Sequence, residues 1–285
     1  MKAAGKARRF FMPLTEHRRW GIMERTKGGG AVRIIISPAK KMVEDRDTFA
    51  PAGLPVFLPE AERLTAALRA MTPGELKKLW GCNDTIAALN LERLAHMDLR
   101  RARTPALLAY EGIQYRYLAP GVLEEEPLRY VGAHLRIVSG LYGLLRPFDA
   151  VTPYRLEMQA KLAVEGHRDL YGFWGARLGR ALGAETDTVV DLASKEYSRA
   201  VLPHLPPGTR VVTCVFGELR EGRVVEKGTL CKMARGEMVR WMARQSITEP
   251  EALTAFSALG YRYDPARSEA DRLVFLREMK KEAEE

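Results

Sequence analysis

Arg33-Ile34-Ile35-Ile36-Ser37-Pro38 is the first stretch of the 285-residue chain that reads as folded structure. The isoleucine run is a short apolar strand, and Ser37-Pro38 stops it, because proline brings no N–H to a sheet ladder. Upstream, residues 1–31 have no hydrophobic period and end in a Lys27-Gly28-Gly29-Gly30 run. They read as a basic leader outside the fold, non-native or disordered, with Val32 as an alternative start. Downstream, Pro59–Ala70 puts Ala61, Leu64, Ala67 and Leu68 on one helical face. Thr72-Pro73-Gly74-Glu75 is a capping box with proline at the first helical position. Asp84 is expected to cap a third helix carrying apolar Ile86, Leu89 and Leu94. Pro105–Tyr117 and Glu125–Leu135 read as two helices around the hairpin Leu118-Ala119-Pro120-Gly121-Val122. Strands are expected at Thr188–Leu192, Arg210–Phe216, Val224–Lys227 (after a Glu221-Gly222-Arg223 turn) and Leu273–Arg277, and a helix at Met233–Gln245. Without a repeat or a low-complexity linker, residues 32–277 read as one α+β domain, followed by a charged tail at 278–285.

An apolar fraction of 46% and a charged fraction of 28% are those of an ordinary globular protein. The chain has no uninterrupted apolar run of the roughly 18 residues a membrane span needs. Cys82, Cys214 and Cys231 are odd in number and widely spaced, which suggests neither a disulfide framework nor a zinc site and fits a reducing cytoplasm. The net charge of +9 is concentrated at one end. Eight cations against two carboxylates give residues 1–31 a charge of +6, leaving only +3 for the remainder. A nucleic-acid reading must therefore rest on local clustering of cations.

Generic catalytic patterns are missing: there is no phosphate-binding glycine loop, no H-E-x-x-H and no G-x-S-x-G. Five scattered histidines offer no metal-ligand spacing, so no metal and no cofactor are expected. What stands out is a series of segments mixing glycine, aromatic and charged residues. They are Ser37-Pro38-Ala39-Lys40, Tyr110-Glu111-Gly112-Ile113-Gln114-Tyr115, Ser139-Gly140-Leu141-Tyr142-Gly143-Leu144-Leu145-Arg146-Pro147 and Pro153-Tyr154-Arg155-Leu156-Glu157-Met158. Leu170-Tyr171-Gly172-Phe173-Trp174-Gly175, Leu192-Ala193-Ser194-Lys195-Glu196-Tyr197 and Lys232-Met233-Ala234-Arg235-Gly236 complete the set.

In order and content these segments resemble the signatures of the YaaA family, over essentially all of residues 33–277. Asp191 departs from a common asparagine, and Leu230-Cys231 from Tyr-Ala. The resemblance implies a compact mixed α/β body of unusual topology, with a helix-hairpin-helix element and a basic cleft. It also implies binding to duplex or distorted DNA and a role in hydrogen peroxide stress associated with lowered free iron. A cytoplasmic location is expected, and of the oligomeric states, which the sequence leaves open, a monomer is favoured. Relatives in pathways that build deazaguanine bases imply an alternative, an enzyme modifying a nucleobase or nucleotide in the same cleft.

The residues themselves support part of that picture. A helical hairpin around Gly121 would present free backbone N–H groups to phosphates, although Glu124-Glu125-Glu126 beside it would repel them. Gly140 and Gly143 could let a backbone approach DNA. Lys40, Arg146, Arg155, Lys195, Lys232 and Arg235 each sit beside Gly, Pro, Ser or Tyr, and are expected to converge on one cleft. Ser37, Tyr154, Glu157, Ser194, Glu196 and Tyr197 are suited to a polar site, which perturbed titrations would mark as enzymatic.

Overall fold

The computed structural model describes residues 31–278. All of the leader but Ala31, and all of the tail but Glu278, lie outside the described residues. A mixed sheet runs through the middle of the body. Its strand order is Tyr261–Tyr263, Arg272–Arg277, Arg210–Arg220, Thr188–Leu192, Arg33–Ile36, Leu135–Ser139, Gly143–Leu145. The five inner strands are parallel, and both edges are closed by antiparallel pairs. Parallel neighbours require crossover connections, so helices cover the sheet. Ile34, Ile35 and Ile36 are fully buried, which explains a run of isoleucines rather than an alternating pattern.

Several expectations hold locally. Thr72 and Glu75 form the reciprocal capping box of the Pro73–Trp80 helix, which ends on left-handed Gly81. The Glu221-Gly222 turn links Arg210–Arg220 to Arg223–Val225, with both residues at positive φ. Other boundaries differ. Asn83, not Asp84, caps the third helix, and its oxygen accepts the Ile86 N–H at 3.0 Å. Ile86 and Leu89 are exposed on that helix, and Ala87, Asn90 and Leu94 face inward instead. The Pro105–Tyr117 pattern is split into helix Ala106–Ala109, the short strand Tyr110–Glu111 and helix Ile113–Leu118. Tyr110–Glu111 pairs with Lys41–Met42, a tertiary contact that outweighs local helix preference. The long helix begins at Gly228 rather than Met233.

The order of the strands creates one special place. The chain leaves Arg33–Ile36 toward its neighbour Leu135–Ser139, then returns past it to Thr188–Leu192 and moves on to Arg210–Arg220 on the far side. Connections from the adjacent strands Arg33–Ile36 and Thr188–Leu192 therefore depart in opposite directions. In open α/β sheets, ligands bind beyond the carboxyl ends of strands at such a switch point.

Candidate functional site at the strand ends

Ser37 and Ser194 stand one on each side of that switch point. The Ser194 N–H donates to Ser37 Oγ at 2.8 Å, and the two hydroxyls are 3.2 Å apart. Tyr115 donates its hydroxyl to the Ser37 carbonyl at 3.0 Å, pinning helix Ile113–Leu118 onto the strand end. Beside them, Tyr154 OH lies 2.6 Å from Ser139 Oγ and 3.0 Å from Tyr110 OH, and Ser139 Oγ accepts the Tyr142 N–H. Burial pushes the Tyr154 phenol up to about 12 and holds Tyr110, Tyr115 and Tyr197 above their ordinary value. These phenols stay protonated at neutral pH, so they orient neighbours by hydrogen bonding rather than act as bases.

The rim above this hydroxyl network is charged. Lys40 Nζ lies 2.8 Å from Glu157 Oε2, and Arg155 approaches Glu157 Oε1 at 3.4 Å. Arg155 also donates to the Trp80 carbonyl at 3.3 Å. Lys40 is 65% exposed and Glu157 only 17%, so the carboxylate is the fixed partner. Glu196 accepts the Gln159 N–H at 3.2 Å. Its carboxyl is raised, chiefly by burial and also by the charge of Glu157, against the opposing pull of the Gln159 and Met158 N–H groups and of Lys40. Lys195 is exposed beside it.

Asp191 and Ser198 form a buried polar pair at the neighbouring strand ends, and Arg235 acts on Asp191 through its charge. Asp191 accepts the Ala193 N–H at 2.9 Å and the Ser198 hydroxyl at 2.8 Å. Burial raises its carboxyl, while these bonds and the charge of Arg235 pull it back. Arg235 extends from helix Gly228–Gln245, which crosses helix Ile113–Leu118 where Gly236 meets the Gln114 backbone. A Cβ at Gly236 would come 2.1 Å from the Gln114 carbonyl oxygen. Buried Arg235 Nε and Gln114 Nε2 have no hydrogen-bond partner among the described residues. Lys232, one turn before Gly236, is exposed.

Helix Ile113–Leu118 is followed by a 3-10 turn at Pro120–Val122 and then by helix Glu125–His134. Gly121 and Val122 are exposed in the turn, and no side chain caps the second helix. Arg129 reaches both Glu125 (3.1 Å) and Glu126 (3.3 Å). Two of the three carboxylates that would repel a phosphate there are thus ion-paired.

Lys40, Arg155, Glu157, Glu196, Tyr154, Tyr197, Ser37 and Ser194 come together at the strand ends, and Lys195 adjoins them. Lys232 and Arg235 lie on the helix that packs against helix Ile113–Leu118. Arg146 departs from the other end of the sheet: Leu145 pairs with Ile137, so Arg146 continues toward the strands' amino ends, near Arg136. Gly140 and Gly143 are buried, and the close approach each permits is to the chain itself. A Cβ on Gly140 would stand 2.4 Å from the Leu156 carbonyl oxygen, and Gly143, at φ +72°, faces the Trp174 ring. Sequence reasoning missed Tyr110, Tyr115 and Ser139 as site residues, although all three lie in the segments singled out above. Among the described residues no group of three or more His, Cys, Asp or Glu could hold a metal ion, and the three cysteines are free.

Residues 32–267 match the family model described as peroxide stress protein YaaA. The chain belongs to the YaaA family. It is 50% identical over 248 residues to a UPF0246 protein of Desulfitobacterium hafniense, covering 87% of this chain and 99% of that one. A UPF0246 protein of Lachnoclostridium phytofermentans is 48% identical over 246 residues, covering 86% and 96%. One from Pediococcus pentosaceus is 46% identical, covering 86% and 98%. The YaaA match spans the switch-point rim, helices Ile113–Leu118 and Glu125–His134, and the Lys232–Gly236 segment alike. No helix among the described residues is long and apolar enough to cross a membrane.

Proposed function

We propose that the protein acts in the peroxide stress response by binding DNA through its phosphates, with little sequence preference, and so helps to limit oxidative damage. The observation that carries this reading is the packing of the hairpin on the Gly228–Gln245 helix at Gly236. It sets the uncapped amino end of Glu125–His134 and exposed Lys232 on neighbouring helices, while Tyr115 ties the same hairpin to the strand ends with Lys40 and Lys195. Free backbone N–H groups and exposed cations together bind phosphate oxygens without reading bases. The hairpin serves as the family's helix-hairpin-helix element, and these cations, with Arg155 and Arg235 behind them, form the basic surface. Arg146 belongs to a separate contact at the opposite end of the sheet. Restricting access of oxidants to DNA in this way accords with the family's association with lowered free iron in the cytoplasm.

Arg129 supplies the test. Competition binding of residues 32–278 against unrelated duplexes should give affinities within a few-fold of one another. Arg129→Ala takes a cation away from Glu125 and Glu126 and should weaken all of them about equally. Adding Glu125→Gln and Glu126→Gln to that variant should restore binding. An unchanged affinity in Arg129→Ala would remove the hairpin from the interface.

A second reading, chemistry on a nucleobase or nucleotide, is favoured by the paired serines at the switch point and the carboxylates above them.

A further inference from the structure

Arginines gather at the end of the sheet away from the strand-end rim. Leu145 pairs with Ile137 and Gly143 with Ser139, so one step further along this register Arg146 falls opposite Arg136. Residues directly opposed on antiparallel strands share a face, with Cβ atoms about 4.5–5.5 Å apart. Arg136 in turn stands beside Ile35, and Arg33, two residues before Ile35, shares its face. Three guanidinium groups therefore meet on one face, and like charges opposed in this way destabilise a sheet. Burial is the first cause that lowers the pKa of Arg136 and of His134. Neighbouring cations push each the same way, Arg33 and Arg146 on Arg136, and Arg33 and Arg136 on His134.

Two carboxylates answer this charge only in part. Glu185 Oε2 lies 2.9 Å from Arg33 Nε and 2.5 Å from an Arg136 Nη. Asp149 is buried, and its Oδ2 accepts the Arg146 backbone N–H at 2.8 Å rather than pairing with the guanidinium. Three cations against two carboxylates leave one positive charge in excess. Donors are in excess as well. The Arg136 side chain is only 7% exposed, yet its Nε has no acceptor among the described residues. Arg146 is exposed, and its guanidinium has no ion pair or hydrogen bond among the described residues. Buried charges are normally paired, so both the charge and the free N–H call for an anion.

We propose that the opposed pair Arg136 and Arg146 forms a binding site for a tetrahedral oxyanion of the phosphate kind. Guanidinium N–H groups match phosphate oxygens in geometry and charge. Arg146 meets the ion from solvent. Arg136 holds a fixed charge behind it, braced by Glu185 and by its N–H bond to the Leu135 carbonyl at 2.6 Å. Two strands bring these groups in from different sides, which suits a tetrahedral ion better than a planar carboxylate. Asp149 opposes the ion and limits its affinity. The site lies at the other end of the sheet from Ser37, Lys40 and Lys195, and it does not rest on the DNA-binding reading.

The experiment titrates inorganic phosphate into the full chain by calorimetry at constant ionic strength, with acetate and a short DNA duplex as separate arms. Cations of the leader are common to every variant, so the comparison between variants isolates the site. Phosphate should bind saturably, and Arg146→Ala should weaken it about tenfold or more, as loss of a charge-assisted hydrogen bond does. Asp149→Asn removes the opposing carboxylate and should tighten binding, a gain that misfolding does not produce. Thermal melting checks that Arg146→Ala stays folded. Absence of saturable binding, or phosphate affinity that both variants leave unchanged, overturns the site. Acetate bound as tightly as phosphate overturns the tetrahedral class. The duplex arm separates two sources of the same chemistry, and either outcome upholds the site. Duplex affinity that Arg146→Ala leaves unchanged assigns it to free phosphate or a phosphomonoester, and duplex affinity that falls in parallel assigns it to backbone phosphates.

Discussion

Ser194 donates its backbone N–H to the Ser37 hydroxyl at 2.8 Å, joining the carboxyl ends of two adjacent parallel strands whose connections diverge. Ser37→Ala leaves the part-buried Ser194 N–H without its acceptor, at a cost of about 1–2 kcal/mol. In a domain of this size the melting temperature should fall by about 2–8 °C. Urea and thermal unfolding both measure it. An unchanged midpoint would mean the bond does not hold the strand ends.

Two glycines should respond oppositely to the same substitution. In Gly140→Ala the new methyl group meets the Leu156 carbonyl oxygen at 2.4 Å, a backbone atom with no rotamer to escape into. Overpacking of this kind costs about 1–3 kcal/mol. Gly74 lies in helix Pro73–Trp80 with nothing within 4 Å of a Cβ. Gly74→Ala should therefore stabilise by about 0.5–1 kcal/mol, through helix propensity and a restricted unfolded chain. Paired denaturant titrations check the contrast in sign.

Asp149 gives stability a pH dependence. Its carboxyl is pushed up to about 6, chiefly by burial, while its Oδ2 accepts the Arg146 N–H at 2.8 Å. A raised carboxyl favours the protonated form in the folded state. The unfolded chain ionises first, near 3.8, so stability should decline as pH rises from there and level off above about 6. The full loss is at most about 3 kcal/mol, at 1.36 kcal/mol per pKa unit. Asp149→Asn keeps an acceptor for Arg146 and should remove this part of the slope. A slope that persists unchanged between pH 4 and 6 in that variant would assign it to other groups.

The sequence exposes those features of the fold that depend on neighbours in the chain. The isoleucine run, the Thr72–Glu75 box and the Glu221-Gly222 turn are local, and each is where its residues place it. Leu135–Ser139 and Gly143–Leu145 escape notice because they are short, and one continues directly from a helix. Tyr110–Glu111 reads as helix because only its distant partner Lys41–Met42 makes it a strand. The site was legible as a set of residue types but not as a place. Ser37 and Ser194 are 157 positions apart, and no spacing rule predicts that their hydroxyls meet. Arg146 shares its composition with Arg155, and only strand register sends it to the other end of the sheet.

DNA binding by the hairpin and its neighbouring cations is tested most directly by the salt dependence of affinity, in residues 32–278 freed of the +6 leader. Each phosphate neutralised releases counterions and contributes about −0.9 to the slope of log K against log salt. Lys195 and Lys232 are exposed, each on a segment that meets the DNA in this account. The double variant Lys195→Ala/Lys232→Ala should bind more weakly at low salt, with a slope shallower by about 1.8 on the same relation. Affinity that is absent from residues 32–278 at low salt, or a slope that the double variant leaves unchanged, would contradict it.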